Sequence, residues 1–412
     1  MNNKVNESRR DWGEEIAAQP LRPEISVVLC EPGKLAKTAT IEASLESYQK
    51  IVGGYIEAYY PFEEPVCIVC NEEGKIICML RMGLPGVAVS QFARRCLIDE
   101  IVLSNDIEGV SSTRREISDV LDRVKPQNKC RFLGLVNKYQ KLQEDETVPL
   151  KCCKDIRAIY DELVLDEVLE ENEKNAPDGE IFRKESVSVE SVTGKTIHQG
   201  VYPESEIIST MESALSFLNN DGLDPLVRIA GFHYLFGYIH PFYDGNGRTS
   251  RFISSYLLSK ELDPLIGYRL SYTIKENISD YYSAFKICND VRNMGDVTPF
   301  VIIFLEILRK AMEQLKNALQ ERAEQFEHYD RLIKTNGTLH TEKNYSLSNL
   351  LLQAALFAES GINTKELLQV LDISRTTLKD RLDELEAHKY IISHKEGRVI
   401  YYKLNLDALQ AE

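Results

Sequence analysis

Apolar residues recur at intervals of three and four through most of the chain between Val89 and Arg309, which is the spacing of one helix face. QFARRCLIDEIVL, FLGLVNKYQKL, IISTMESALSFLNN and PLVRIAGFHYLFGYI each read as a helix of this kind. One stretch breaks the pattern. In ESVSVESVTGKTIHQGVYPES, residues 185–205, Val187 and Val189 alternate with polar neighbours, TGK turns, and TIHQG returns. That is the period of a short hairpin set inside a helical domain, where a flap over a site can lie. Upstream, a polar tail over 1–24 precedes a small α+β module over 25–88. The module is built from a strand ISVVLC, a helix ASLESYQKIVGGY and a hairpin around NEEG. Downstream, a polar helix fills a linker over 310–345 and leads to a separate unit over 346–412.

Length and charge narrow the classes. With 412 residues the chain has room for two or three domains. Its 49 basic and 64 acidic residues leave a net charge of −15, which argues against a coat of nucleic acid or an anchor on anionic lipid. No stretch reaches the roughly eighteen apolar residues of a membrane span; PFVIIFLEIL is short and contains Glu306. The first twenty residues lack the apolar run of a secretory signal, so the expected location is the cytoplasm. Nine cysteines suit a reducing compartment. Cys67 and Cys70 form a CxxC, but three apart on a strand they point to opposite faces and serve neither a metal nor a disulfide.

The chemistry concentrates in IHPFYDGNGRTSR, residues 239–251. A helix ends near Ile239, the chain turns at Pro241, and a new helix starts near Gly247. Glycines running into a helix N-terminus leave backbone N–H groups and a partial positive charge facing outward, an anion site. Arg248 and Arg251 lie three apart on the new helix and add two guanidinium forks, which suits a polyphosphate. Asp244 supplies one carboxylate for Mg²⁺ against phosphates. His240 is the nearby group able to remove a proton near neutral pH. The set reads as transfer from a nucleotide to a hydroxyl.

HPFYDGNGRTSR resembles the Fic-domain motif HPFx(D/E)GNGRxxR at every fixed position. The resemblance implies a helical Fic core with a hairpin flap, and transfer of AMP from ATP to a Ser, Thr or Tyr hydroxyl of a target protein. His240 would be the general base and Asp244 the Mg²⁺ ligand. Gly245, Asn246, Gly247, Thr249 and Ser250 would line the ATP site, with Arg248 and Arg251 on the β- and γ-phosphates and Phe242 buried to pin the loop. NISDYYSAFKICND, residues 277–290, resembles the family helix over the nucleoside, which offers Tyr281, Tyr282 and Asn289. His198, Gln199 and Gly200 match the flap that clamps a target segment by main-chain pairing.

LSNDIEGVSSTRREI begins at Leu103. Read alone, Ser104 is a helix N-cap and Glu108 a surface acid. Beside the Fic motif, Ser104, Glu108 and Gly109 resemble the family's inhibitory motif (S/T)xxxE(G/N). A glutamate paired with Arg251 would take the γ-phosphate's place and misalign ATP. The family also raises a second role for such a glutamate, positioning water to remove AMP from a modified target.

Residues 346–412 read as a winged helix-turn-helix: TKELLQVL with Thr364 as N-cap, a recognition helix in SRTTLKDRLDELEAH, and a wing turning at KEGR. Arg375, Lys379 and Arg381 face Asp380, Asp383, Glu384 and Glu386 in that helix. The balance favours protein contact or a homodimer over DNA. Two rivals to the autoinhibited adenylyltransferase stay open: a nucleotide-sensing DNA-binding regulator, and a transferase using another phosphate-linked donor such as UMP or phosphocholine.

Overall fold

A computed structural model describes residues 86–122, 130–143, 147–190, 196–396 and 399–410, with Ser47 and four strands nearer the start. The chain divides into two compact units, Met1–Cys78 and Met79–Glu412. In the first, β1 (Glu24–Leu29) pairs antiparallel with β2 (Lys37–Glu42), Val27 facing Ala39. β3 (Ile56–Tyr59) pairs antiparallel with β4 (Ile68–Asn71). The strand ahead of NEEG therefore takes its partner from upstream. The polar tail up to residue 23, Cys67, the return strand after NEEG and the helix over 43–55, apart from Ser47, lie outside the described residues.

The second unit is mainly helical. α1 (Gly86–Ile107) and α2 (Arg114–Leu121) come first. Between them Gly109 takes φ +76°, the left-handed value that closes a helix C-terminus. Thr113 and Glu116 cap α2 reciprocally: the Glu116 carboxylate accepts the Thr113 N–H at 2.8 Å, and the Thr113 hydroxyl accepts the Glu116 N–H at 3.2 Å. α3 (Leu133–Gln140), α4 (Cys153–Tyr160), a π-helical turn (Asp161–Leu165) and α5 (Asp166–Glu171) follow. The expected hairpin is present as β5 (Ser188–Glu190) and β6 (Thr196–Gln199), its TGK turn lying outside the described residues.

α6 (Glu204–Leu218), α7 (Pro225–Ile239) and α8 (Asn246–Glu261) form the centre. Asp224 starts α7 by accepting the Leu226 N–H at 2.9 Å, with Pro225 in the first turn, where its missing N–H costs nothing. α7 and α8 are buried on nearly all sides, so neither shows the polar stripe of a surface helix. α9 (Pro264–Gly267), α10 (Leu270–Glu276) and α11 (Ile278–Asn289) lead into α12 (Thr298–Thr335). α12 is 38 residues long, so the expected boundary after Arg309 falls inside one helix. Its buried stripe runs across that point through Leu308, Ala311 and Leu315.

α13 (Tyr345–Phe357), β7 (Ile362–Asn363), α14 (Thr364–Leu371), α15 (Arg375–Ala387), β8 (Ile391–Glu396), β9 (Val399–Leu404) and α16 (Leu406–Gln410) complete the chain. β9 is the middle strand of an antiparallel sheet ordered β7-β9-β8. The cap of α14 is Asn363, not Thr364: its side chain accepts the N–H groups of Lys365 and Glu366 at 2.9 and 3.0 Å. A separate apolar core under these elements includes Leu351, Leu367, Leu378 and Leu385. Cys96, Cys130, Cys152, Cys153 and Cys288 are free thiols. No described helix is long and apolar enough to cross a membrane.

Candidate active site

The loop between α7 and α8 begins where His240 turns to φ 51°, ψ 61°, a left-handed conformation uncommon outside glycine. Its N–H still bonds the Phe236 carbonyl at 3.0 Å. Burial lowers the imidazole's pKa from 6.5 to about 4, against the opposing pull of the Glu108 carboxylate. The ring is therefore neutral near pH 7, with one nitrogen able to accept a proton.

Asn246 ties the turn together: its amide donates to the Phe242 carbonyl at 2.8 Å, and its oxygen accepts the Phe242 N–H at 3.0 Å. Phe242 is wholly buried and stacks on Tyr160, ring centroids 3.6 Å apart. Gly245 takes φ +77°, and a Cβ there would come within 2.9 Å of Val164, so conformation and space both demand glycine. The Thr249 hydroxyl donates to the Gly245 carbonyl at 2.9 Å and the Ser250 hydroxyl to the Gly247 carbonyl at 3.2 Å. Both hydroxyls are thus engaged within the first turns of α8. Asp244 is half-buried immediately before Gly245. Among the described residues no group of three or more His, Cys, Asp or Glu is placed to hold a metal.

Arg248 and Arg251, three apart on α8, diverge to different partners. Arg248 Nη1 donates to Glu167 Oε2 on α5 at 3.0 Å, while Nε and Nη2 are buried without a partner. Arg251 turns to α1: Nη1 donates to Glu108 Oε1 at 2.9 Å, Nε to the Ser104 hydroxyl at 3.0 Å and Nη2 to the Ser104 carbonyl at 2.8 Å. Burial works against this guanidinium's charge, but Glu108, Tyr281 and Tyr139 together more than offset it and raise its pKa.

The contacts between α1 and α8 share one spacing. Glu100, Ser104 and Glu108 lie four apart and so project from one side of α1 and its end. They meet Ser255, Arg251 and Gly247, four apart in the opposite direction. Ser255 Oγ donates to Glu100 Oε1 at 3.2 Å. A Cβ on Gly247 would lie only 2.0 Å from Glu108 Oε1, so the carboxylate fills the space over the α8 N-terminus. Ser104 thus sits near the end of a helix, not at an N-cap. Glu100 also accepts the Ser271 N–H at 2.7 Å and hydroxyl at 2.6 Å, fixing the start of α10.

The remaining expected residues are spread around this centre. Tyr281 is buried among Phe285 and Phe300, its hydroxyl 2.7 Å from His233 Nε2. Tyr282 is exposed, and Asn289 accepts the Tyr234 hydroxyl at 2.8 Å. His198 Nε2 lies 2.6 Å from the Tyr238 carbonyl, Gln199 is exposed, and Gly200 donates its N–H to the Val187 carbonyl at 2.9 Å. Sequence reasoning missed Glu100, Glu167 and Arg183. Glu100 carried a signal, an acid four residues before Ser104 on an apolar face. Glu167 lies among other acids on a polar helix, and Arg183 stands alone in IFRKES.

Residues 151–258 match the model of the Fic/DOC family, and residues 25–118 match a domain of unknown function, DUF3846. A curated protein adenylyltransferase Fic from Drosophila mojavensis is 32% identical over 136 residues, 33% of this chain and 24% of that protein. The same-named protein of Drosophila persimilis is 31% identical over an equal span. The matched span is thus about a quarter of these relatives' length. A crystal structure of a Fic family protein from Desulfovibrio desulfuricans is 20% identical, covers 84% of this chain and 98% of its own, and aligns with a TM-score of 0.45. The loop and the β5–β6 hairpin both fall within residues 151–258, the span that matches the Fic/DOC family.

Proposed function

We propose that the protein is an autoinhibited adenylyltransferase that moves AMP from ATP to a Ser, Thr or Tyr hydroxyl of a target protein. The observation that carries this reading is the seat of Glu108. Its carboxylate lies over Gly247 and bonds Arg251, which is the place and the cation an anionic ligand of this loop would use. In the released form, the α8 N-terminus, Arg251 and the unpartnered Nε and Nη2 of Arg248 would hold the phosphates. His240 accepts the hydroxyl proton as the oxygen bonds the α-phosphorus. The bond from α-phosphorus to the bridging oxygen breaks, and pyrophosphate leaves. Asp244 fits Mg²⁺ as one carboxylate completed by phosphate oxygens and water, the usual pattern for this ion. Bound there, the ion would neutralise phosphate charge. Tyr282 and Asn289 are candidates for the nucleoside, with Tyr281 behind them, and β6, with His198, Gln199 and Gly200, for the target segment.

The test is labelling with ATP carrying ³²P at the α-position, in Mg²⁺, for the wild type, Glu108→Gly and Glu108→Gly/His240→Ala. The single variant should label at least about tenfold faster than wild type. Losing the base should then cost about 10²-fold or more. A Glu108→Gly protein that binds ATP but labels nothing would support a nucleotide-sensing regulator or a different donor.

A further inference from the structure

Arg183 lies between the β5–β6 hairpin and the end of α7, and its side chain is wholly buried. Nε donates to the His240 carbonyl at 2.9 Å, Nη1 to the Glu185 carbonyl at 2.6 Å and Nη2 to the Val201 carbonyl at 2.9 Å. Its main-chain N–H reaches the Pro241 carbonyl at 3.3 Å. Each of these acceptors is a backbone carbonyl. A buried cation held by dipoles alone is costly, and burial holds its pKa below the ordinary value for arginine.

The segment carrying Arg183 is fixed on both sides. The Glu204 carboxylate accepts the N–H groups of Glu180, Ile181 and Phe182 at 3.0, 2.9 and 2.9 Å. Asp178 accepts the Lys184 N–H and the Tyr243 hydroxyl, both at 2.9 Å, and that hydroxyl accepts the Glu185 N–H at 3.0 Å. A Cβ on Gly200 would lie 2.5 Å from Arg183 Nη2 and 3.1 Å from the His240 Cβ. The guanidinium and the histidine leave no room for a side chain between them.

We infer that Arg183 is a positioning residue: it holds His240 in its left-handed conformation and ties it to both ends of the β5–β6 hairpin. This rests on the transferase reading, in which His240 takes the hydroxyl proton and β6 presents the target. The left-handed conformation is disfavoured for histidine by about 1–2 kcal/mol, so it persists only where bonds impose it. The hairpin is tied to the same helix end by the Val201 N–H to the Ile239 carbonyl at 3.1 Å. Base and docking strand therefore share one anchor. Without it, an error of about 1 Å between base and hydroxyl is enough for a loss on the order of 10²-fold. The cation also disfavours protonation of His240.

The experiment compares Arg183→Lys and Gly200→Ala in the Glu108→Gly protein, each checked for native circular dichroism and melting. The expected result for Arg183→Lys is a labelling rate at saturating ATP lower by about 10²-fold, with ATP affinity within about threefold of the parent. Gly200→Ala, which keeps Arg183 but displaces it, should lose at least about tenfold and decides the matter if the lysine variant does not fold. Unchanged rates in a folded variant would overturn the inference, as would rate and ATP affinity falling together with the folded fraction. If the Glu108→Gly parent itself does not label, the transferase reading fails instead. Arg183 is then judged by NMR of the His240 backbone, whose chemical shifts should leave the left-handed range in Arg183→Lys; unmoved shifts refute the positioning role.

Discussion

His240 sits where a helix has just ended and its ring has lost most of its water. A base whose pKa is pulled to about 4 is already unprotonated throughout the neutral range. Glu108 raises that pKa, so removing it leaves a ring still harder to protonate. The labelling rate of Glu108→Gly is therefore expected to stay flat from about pH 6 to 8 and to fall only below about pH 5. A rate profile taken in overlapping buffers, with folding checked at each pH, measures this. Half-maximal rate near 6.5 would mean a solvated imidazole and a loop more open than this one. The same burial makes His240 a weak base by Brønsted reasoning. Its usefulness then comes from placement, the quantity Arg183 governs.

At the scale of elements, the contact between α1 and α8 is a ladder of three steps, and Glu100 is the step farthest from the N-terminus of α8. Removing its carboxyl leaves the Ser271 N–H and two serine hydroxyls buried without an acceptor, a cost of about 2–4 kcal/mol. Glu100→Ala should lower the melting temperature and raise basal labelling above wild type. Added to Glu108→Gly, it should raise labelling no further, because the carboxylate over Gly247 is already gone. Burial lifts the Glu100 pKa from 4.5 to about 7. Its folded value thus exceeds its unfolded one, so its contribution is full below about pH 4.5 and is lost as pH rises through 7. Glu100→Gln should flatten the decline of the wild-type melting temperature over that window. Parts of this ladder were legible in the sequence. The loop motif was, because its specified residues are contiguous and each type has a local reason. The helices were, because apolar spacing persists even in α7, where burial removes the polar face. The divergence of Arg248 from Arg251 was not: their shared spacing says nothing of Glu167, which a π-helical turn brings beside α8. Arg183 was illegible for a similar reason. Its partners are carbonyls, which every residue carries, so no side-chain pattern marks them.

Across the second unit, α1 leads into Glu108 at one end and meets the C-terminal elements toward the other. α13 packs along α1, and Phe357 at its end is wholly buried in the core that contains Phe92 and Cys96. Arg322 on α12 joins the two, its Nε 3.2 Å from the Leu356 carbonyl and its guanidinium 5.2 Å from the Phe92 ring centre. Arg114 adds ion pairs to Asp99 at 2.8 Å and Glu359 at 3.3 Å. These contacts differ in weight. The Arg114 pairs are partly exposed and worth under about 1 kcal/mol. Truncating a buried phenylalanine costs about 3–5 kcal/mol. If α13 helps to hold α1 in register, Phe357→Ala should raise basal labelling several-fold while Arg114→Ala leaves it near wild type. Both variants keep Glu108 and Arg251, so ATP at high concentration should compete more effectively in the first. Labelling at a series of ATP concentrations, with melting curves for each protein, separates the outcomes. A Phe357→Ala protein that melts earlier yet labels like wild type would mean that Glu100, Ser104 and Glu108 hold α1 against α8 unaided. Relief of labelling in Phe357→Ala would instead make whatever binds the C-terminal elements a candidate for the signal that lifts Glu108.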